Sequence, residues 1–180
     1  MSLLSGSRGP GRESARGFLL GVCLAFNLGG GVPLAIAQTS VLPVACRDAA
    51  GLDGKGDAVI AVLSPRMVYS LTEWPRLRRL AMNDGLRVIA WRSSEIGETE
   101  WRAALDRAGW TAEEADAVAQ VPVACAAWVA RPNHFPYTWV VAPGGAVSWP
   151  IAGVLPDAAW LASLRLRRGM LAQVGEEGRP

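Results

Sequence analysis

Lysine occurs once in the 180 residues, as Lys55, histidine once, as His134, and cysteine three times, as Cys23, Cys46 and Cys125. The cysteine positions exclude a Cys-x-x-Cys pair anywhere in the chain. One histidine leaves any catalytic dyad or metal set a single imidazole. An excess of one charge is also missing. Of 18 basic and 16 acidic residues, Arg8, Arg12, Arg16 and Glu13 fall before residue 38, so the remainder balances at 15 of each. A neutral body carries no electrostatic footprint for nucleic acid. The scarcity of lysine beside abundant Ala and Arg matches a GC-rich genome and carries no functional information. There is no internal repeat. What is present is apolar residues at 51%, a globular composition. The length suffices for one domain with a core and a short additional segment.

That segment is N-terminal. A basic region up to Arg16 precedes an apolar stretch from Gly17 to Ala37, which ends in Ala35-Ile36-Ala37 before Gln38. Small residues at those positions fit signal-peptidase cleavage after Ala37. Asn27, Gly29-Gly30-Gly31 and Pro33 interrupt the run and fit a cleaved signal better than a membrane helix, which needs about 20 continuous apolar residues. An uncleaved anchor is the alternative, and both place the rest of the chain outside the cytoplasm. Cys23 follows Leu20-Gly21-Val22, a poor lipoprotein signal because Val22 is bulky. The expected division is therefore 1–37 signal peptide or N-terminal membrane anchor, 38–57 loop-rich lead-in, 58–170 folded domain and 171–180 flexible tail.

Cleavage leaves Cys46 and Cys125. An isolated pair in an oxidising compartment is expected to form a disulfide. Two separate buried thiols are the alternative.

Within the body, Ala58 to Leu63 is a continuous apolar run, as for a strand buried on both faces. Leu71, Trp74, Leu77, Leu80 and Ala81 recur at helical spacing, which predicts a helix over Met67–Met82 with a kink at Pro75 and a stop at Asn83-Asp84-Gly85. Leu86 to Trp91 reads as a second strand. Glu98–Ala108 reads as a helix with acids early and Arg107 late. Thr111 with Glu114 is a capping box for a short helix to about Ala119. Val121–Val129 is apolar and reads as strand or helix. Tyr137–Ala142 and Ala146–Trp149 around Pro143-Gly144-Gly145 form a hairpin pattern. Pro156-Asp157 opens a last helix to about Arg168. Trp74, Trp91, Trp101, Trp139 and Trp160 fall on core faces, and Arg76-Leu77-Arg78-Arg79 reads as a solvated helix face. Strand–helix–strand followed by a hairpin implies a mixed sheet with helices on both faces.

This order resembles the thioredoxin fold. Pro75 stands five residues after Ser70 and eight after Met67, the spacing at which that family places a helix-kinking proline behind its redox motif. Phe135-Pro136-Tyr137-Thr138-Trp139-Val140-Val141 is similar to the family's cis-proline loop and following strand, Pro143-Gly144-Gly145 to its hairpin turn, and Gly153 to a glycine behind the hairpin. The long segment before Pro136 looks like the secreted thiol reductases of cytochrome maturation and their peroxiredoxin relatives. The resemblance covers roughly residues 56–168. It implies an α/β three-layer sandwich, a mixed β-sheet flanked by helices on both faces. It also implies a degenerate redox motif, Met67-Val68-Tyr69-Ser70, facing a cis-proline loop of His134, Phe135, Pro136 and Tyr137.

Dithiol exchange needs a thiolate at the helix start and a resolving thiol one turn on. A thioether cannot ionise and a hydroxyl is not a redox group, so Met67 and Ser70 cannot perform it, nor can Ser70 act as a peroxidatic residue. Ser70 with His134 as general base lacks a visible oxyanion hole. Met67 with His134 supplies too few ligands for copper. The reading is thus an exported, redox-inactive protein with no catalytic residue, metal or cofactor, located in the periplasm or anchored in the inner membrane facing it. Its partner is an unidentified periplasmic or membrane protein or peptide, held in a groove that Met67, Tyr69, Phe135 and Tyr137 would line. The alternative is a thiol-disulfide oxidoreductase using Cys46 and Cys125, although a structural clamp fits their separation better.

Overall fold

The computed structural model describes residues 40–52, 54, 56–129 and 135–177. The expected export segment and His134 lie outside the described residues.

Strand β2 (Ala58–Leu63) is the spine of the molecule. All six residues are buried, which explains why the run carries no polar alternation. It pairs in parallel with β3 (Arg87–Arg92) and antiparallel with β5 (Tyr137–Val141). The third parallel strand, β4 (Val118–Gln120), flanks β3. On the other side β5 pairs with β6 (Ala146–Val147), β6 with β1 (Ser40–Val41), and β5 also with β7 (Ile151–Ala152). The seven strands described form one mixed sheet.

Helices cover both faces, as the resemblance implies. One face is covered by α2 (Val68–Thr72), α3 (Trp74–Asn83), α4 (Glu98–Ala108) and α7 (Asp157–Glu177). Leu71, Trp74, Leu77, Trp101, Leu105, Trp160 and Leu164 pack there against Val59, Ala61, Leu63 and Val140. The opposite face carries α1 (Val44–Ala49) and α6 (Val123–Ala126). Here Leu42, Cys46, Val121, Cys125 and Trp139 pack against Ile60, Val62 and Trp91. Alternate residues of β2 thus serve two cores. Short α5 (Ala112–Asp116) has its Thr111–Glu114 capping box closed in both directions. α4 ends at Gly109 in the left-handed conformation.

Several boundaries differ from the sequence-based expectation. The predicted helix over Met67–Met82 is two helices. Glu73 caps both, and Pro75 sits in the first turn of α3, where its missing N–H leaves no bond within α3 unmade. The 38–57 lead-in holds β1 and α1, both anchored from outside. Leu42 N donates to Gly145 O at 2.8 Å, and Arg47 Nη1 donates to Gly144 O at 3.2 Å. Gly145 has φ +84, and a Cβ there would stand 2.6 Å from Arg47 Cδ, so the turn accepts no other residue without moving Arg47. The segment predicted to stay helical to Ala119 instead enters β4 at Val118. The apolar run from Val121 resolves as α6, a single helical turn. The last helix continues past Arg168 to Glu177, through residues expected to be a flexible tail. Leu171 explains this: about two turns on from Leu164 and three from Trp160, it is buried in the same core. No described helix is long and apolar enough to cross a membrane.

Candidate functional site

The connection from β2 into α2 is held by a closed set of short-range bonds. Ser70 is fully buried, and its Oγ accepts from Ser64 N at 2.9 Å. Ser70 N donates to Met67 O at 2.8 Å, Met67 N to Ser64 O at 3.3 Å, and Arg66 N to Ser64 Oγ at 3.3 Å. The Ser70 hydroxyl therefore faces back to the strand end and stitches the loop shut. The Arg66 guanidinium grips Glu100 of α4 with two bonds of 3.0 and 3.1 Å, the fork-to-carboxylate geometry that fixes orientation.

Behind the loop, Pro75 cannot donate to the carbonyl one turn earlier, that of Leu71. The indole Nε1 of Trp110 fills the gap and donates to Leu71 O at 3.1 Å. Trp110 was absent from the expected core. Its role has no local sequence signal, because its partner lies 39 positions away. Trp110 also meets Trp101 edge to face, with ring centroids 6.4 Å apart.

With Ser70 turned inward, the residues beside it point out. Val68 is 72% exposed, Tyr69 68% and Met67 36%. Three large apolar side chains in succession thus stand in solvent at the start of α2.

The Phe135–Pro136 peptide is cis, and Pro136 is buried. Pro136 O accepts from Gly153 N at 2.9 Å, and Tyr137 and Thr138 pair with Ala152 and Ile151 of β7. The strand edge behind the loop is thus occupied by this chain itself. Tyr137 meets Trp139 edge to face at 4.8 Å, and Phe135 and Tyr137 pack on the core that holds Cys46 and Cys125. Leu71 of α2 belongs to the core of the opposite face. Met67 and Tyr69 stand exposed on α2, and the two loop aromatics lean on the far core. Alternation along β5 is the reason: Tyr137 pairs with Val62, whose side chain points to the disulfide face. On the other face Thr138 is fully buried. Its Oγ1 has no hydrogen-bond partner among the described residues.

Cys46 and Cys125 are joined by a disulfide with Cα atoms 4.8 Å apart, tying α1 to α6. Both residues are fully buried. An exchange reaction needs an incoming thiolate to reach a sulfur atom, and neither cysteine is exposed at the surface. Among the described residues, no group of three or more His, Cys, Asp or Glu side chains converges as a metal site would require. Of the Met67–His134 and Ser70–His134 pairs, only Met67 and Ser70 fall in the described residues. The predicted arginine face is partly tied down: Arg76 pairs with Glu73 and Asp157 and donates to Leu155 O, while Leu77 is in the core.

No family model and no curated protein sequence matches the chain. Solved structures do resemble it. A thiol:disulfide interchange protein of the thioredoxin family from Chlorobium tepidum is 13% identical, with a TM-score of 0.47 over 66% of this chain and 83% of that one. A secreted Mycobacterium tuberculosis disulfide oxidoreductase is 13% identical, with a TM-score of 0.47 over 65% and 85%. The N-terminal domain of PilB from Neisseria gonorrhoeae is 17% identical, with a TM-score of 0.46 over 63% and 78%. The fold itself rests on strand order and register: a thioredoxin-like mixed sheet, with a βαβ half, an antiparallel hairpin half and helices on both faces.

Proposed function

We propose that this chain is an exported thioredoxin-like protein that performs no thiol chemistry at the start of α2 and instead binds a protein or peptide there. One observation carries the reading. The residue in the resolving position, Ser70, is sealed inside the loop as a structural acceptor, while Met67, Val68 and Tyr69 present an uninterrupted apolar surface. Apolar side chains exposed together form the kind of patch that marks a contact surface, unlike single scattered ones. On this reading the partner is periplasmic or membrane-bound, and residues 1–37 serve as the export signal or anchor.

A second reading has one observation in its favour. Cys46 and Cys125 are bonded, as a thiol-disulfide oxidoreductase using this pair would require. Full burial of both residues counts against it. Insulin reduction by the full chain, with Cys46→Ser as the control, separates the two. We expect turnover no greater than the reductant alone in both proteins. Turnover that Cys46→Ser abolishes would overturn the binding reading in favour of an enzyme.

A further inference from the structure

Beside the exposed start of α2 lies an open groove of about 180 Å³ between α2 and α4. Its shape follows from two small residues. α4 sends Trp101, Ala104 and Leu105 into the core, and Ala104 and Ala108 line the floor of the groove. These alanines stand four residues, or about 6 Å, apart along the helix. Opposite them are Val68, Leu71 and Thr72. At the start of α4, Glu100 is held by Arg66 of the loop that leads into α2.

The polar groups of the groove are few. Thr72 Oγ1 already donates to Val68 O at 3.2 Å. What remains is the guanidinium of Arg107, which lines the groove and is exposed. Among the described residues Arg107 makes no hydrogen bond or ion pair. Its neighbours do: Arg66 holds Glu100, and Arg102 holds Glu98 and Asp116. The groove thus joins an apolar trough to a fork of N–H donors that no described residue engages. Those donors match a carboxylate in shape and charge. Val68, which lines the trough, is also the middle residue of the exposed run Met67-Val68-Tyr69 at the start of α2.

We infer that the groove between α2 and α4 is the docking site for an acidic peptide segment of a partner protein. An aliphatic side chain of that segment seats over Ala104 and Ala108, and an adjacent Asp or Glu bonds to Arg107. The inference rests on the binding reading above and names the chemistry of the partner.

The test is selection from a library of random peptides on the immobilised full chain, followed by titration of the most enriched peptide. The expected consensus is an aliphatic residue next to Asp or Glu. Arg107→Glu should weaken that peptide by about tenfold or more, and a fresh selection on this variant should favour Lys or Arg instead. Val68→Ser should weaken binding without changing the charge preference. Both residues are exposed, and an unchanged circular dichroism spectrum checks that each variant folds. An enriched peptide whose binding is indifferent to Arg107→Glu overturns the inference and leaves the binding reading standing. No enrichment at all overturns both. A concentration-dependent dimer that Val68→Ser dissociates also overturns the inference, because the occupant would then be a second copy of this chain.

Discussion

Pro75 and Trp110 act as one unit, although neither is informative alone. The proline ends α2 and deprives Leu71 O of its helical donor, and the indole restores it at 3.1 Å. A carbonyl left without a donor in a partly buried position costs about 1–3 kcal/mol. Trp110→Phe keeps the ring and removes the N–H. We expect it to lower the unfolding free energy by that amount in urea denaturation and to speed amide exchange in α2 more than in the sheet. The proline was legible in the sequence because its effect is local and steric. The tryptophan was not, since no periodicity links an indole to a carbonyl in another element. The same limit governs the loop aromatics. Phe135 and Tyr137 were legible as neighbours of a cis proline, but the face that the Tyr137 side chain takes is set by its pairing with Val62, a register that residue types do not specify.

Elements with their own periodicity or caps were legible: β2 from its apolar run, α4 from its charge order and Gly109, and α5 from its capping box. Elements held only by what they dock on were not. Helices α1 and α6 are six and four residues long, too short to persist without tertiary contacts. The end of α3 shows how such docking is made. Asp84, at its C-cap, accepts from Arg165 Nε at 2.9 Å and Nη2 at 2.6 Å, and from Arg168 Nη1 at 3.3 Å. Arg168 also bonds Asp57 at the mouth of β2. The hydrogen bond from Arg165, and then the charges of both arginines, hold the Asp84 carboxyl below the usual carboxylate range. A lowered native value means that folding favours the ionised form. The stabilisation is complete above the unfolded-state value and is lost as pH falls through the native one. In acid titration followed by thermal melting, the wild type should lose stability over that window. Asp84→Asn should lose less there, having already lost about 1–2 kcal/mol at neutral pH, a figure between exposed and buried pairs because Arg165 is largely solvated.

Taken whole, the molecule is closed by one covalent link across 79 positions of sequence. In the chain-entropy model a loop of that size restricts the unfolded state by about 4 kcal/mol, and delivered values commonly fall lower. The double variant Cys46→Ala/Cys125→Ala should therefore unfold about 2–4 kcal/mol more easily. Dithiothreitol, which reaches the bond once heating opens the fold, should lower the melting temperature of the wild type and leave that of the variant unchanged. Counting cysteines was enough to expect this bond, because two remain once the export segment is set aside. What counting could not supply was its place against Leu42, Trp91 and Trp139 on one face of the sheet. That placement has a consequence in time. Residues 40–49 make their principal attachments to Cys125, Gly144, Gly145 and the strand Ala146–Val147. Synthesis delivers the chain from its beginning, and contacts distant in sequence form late. The front of the body thus emerges long before anything exists to receive it. It settles only when the hairpin has been made, so the earliest described residues to appear are among the last to find their neighbours.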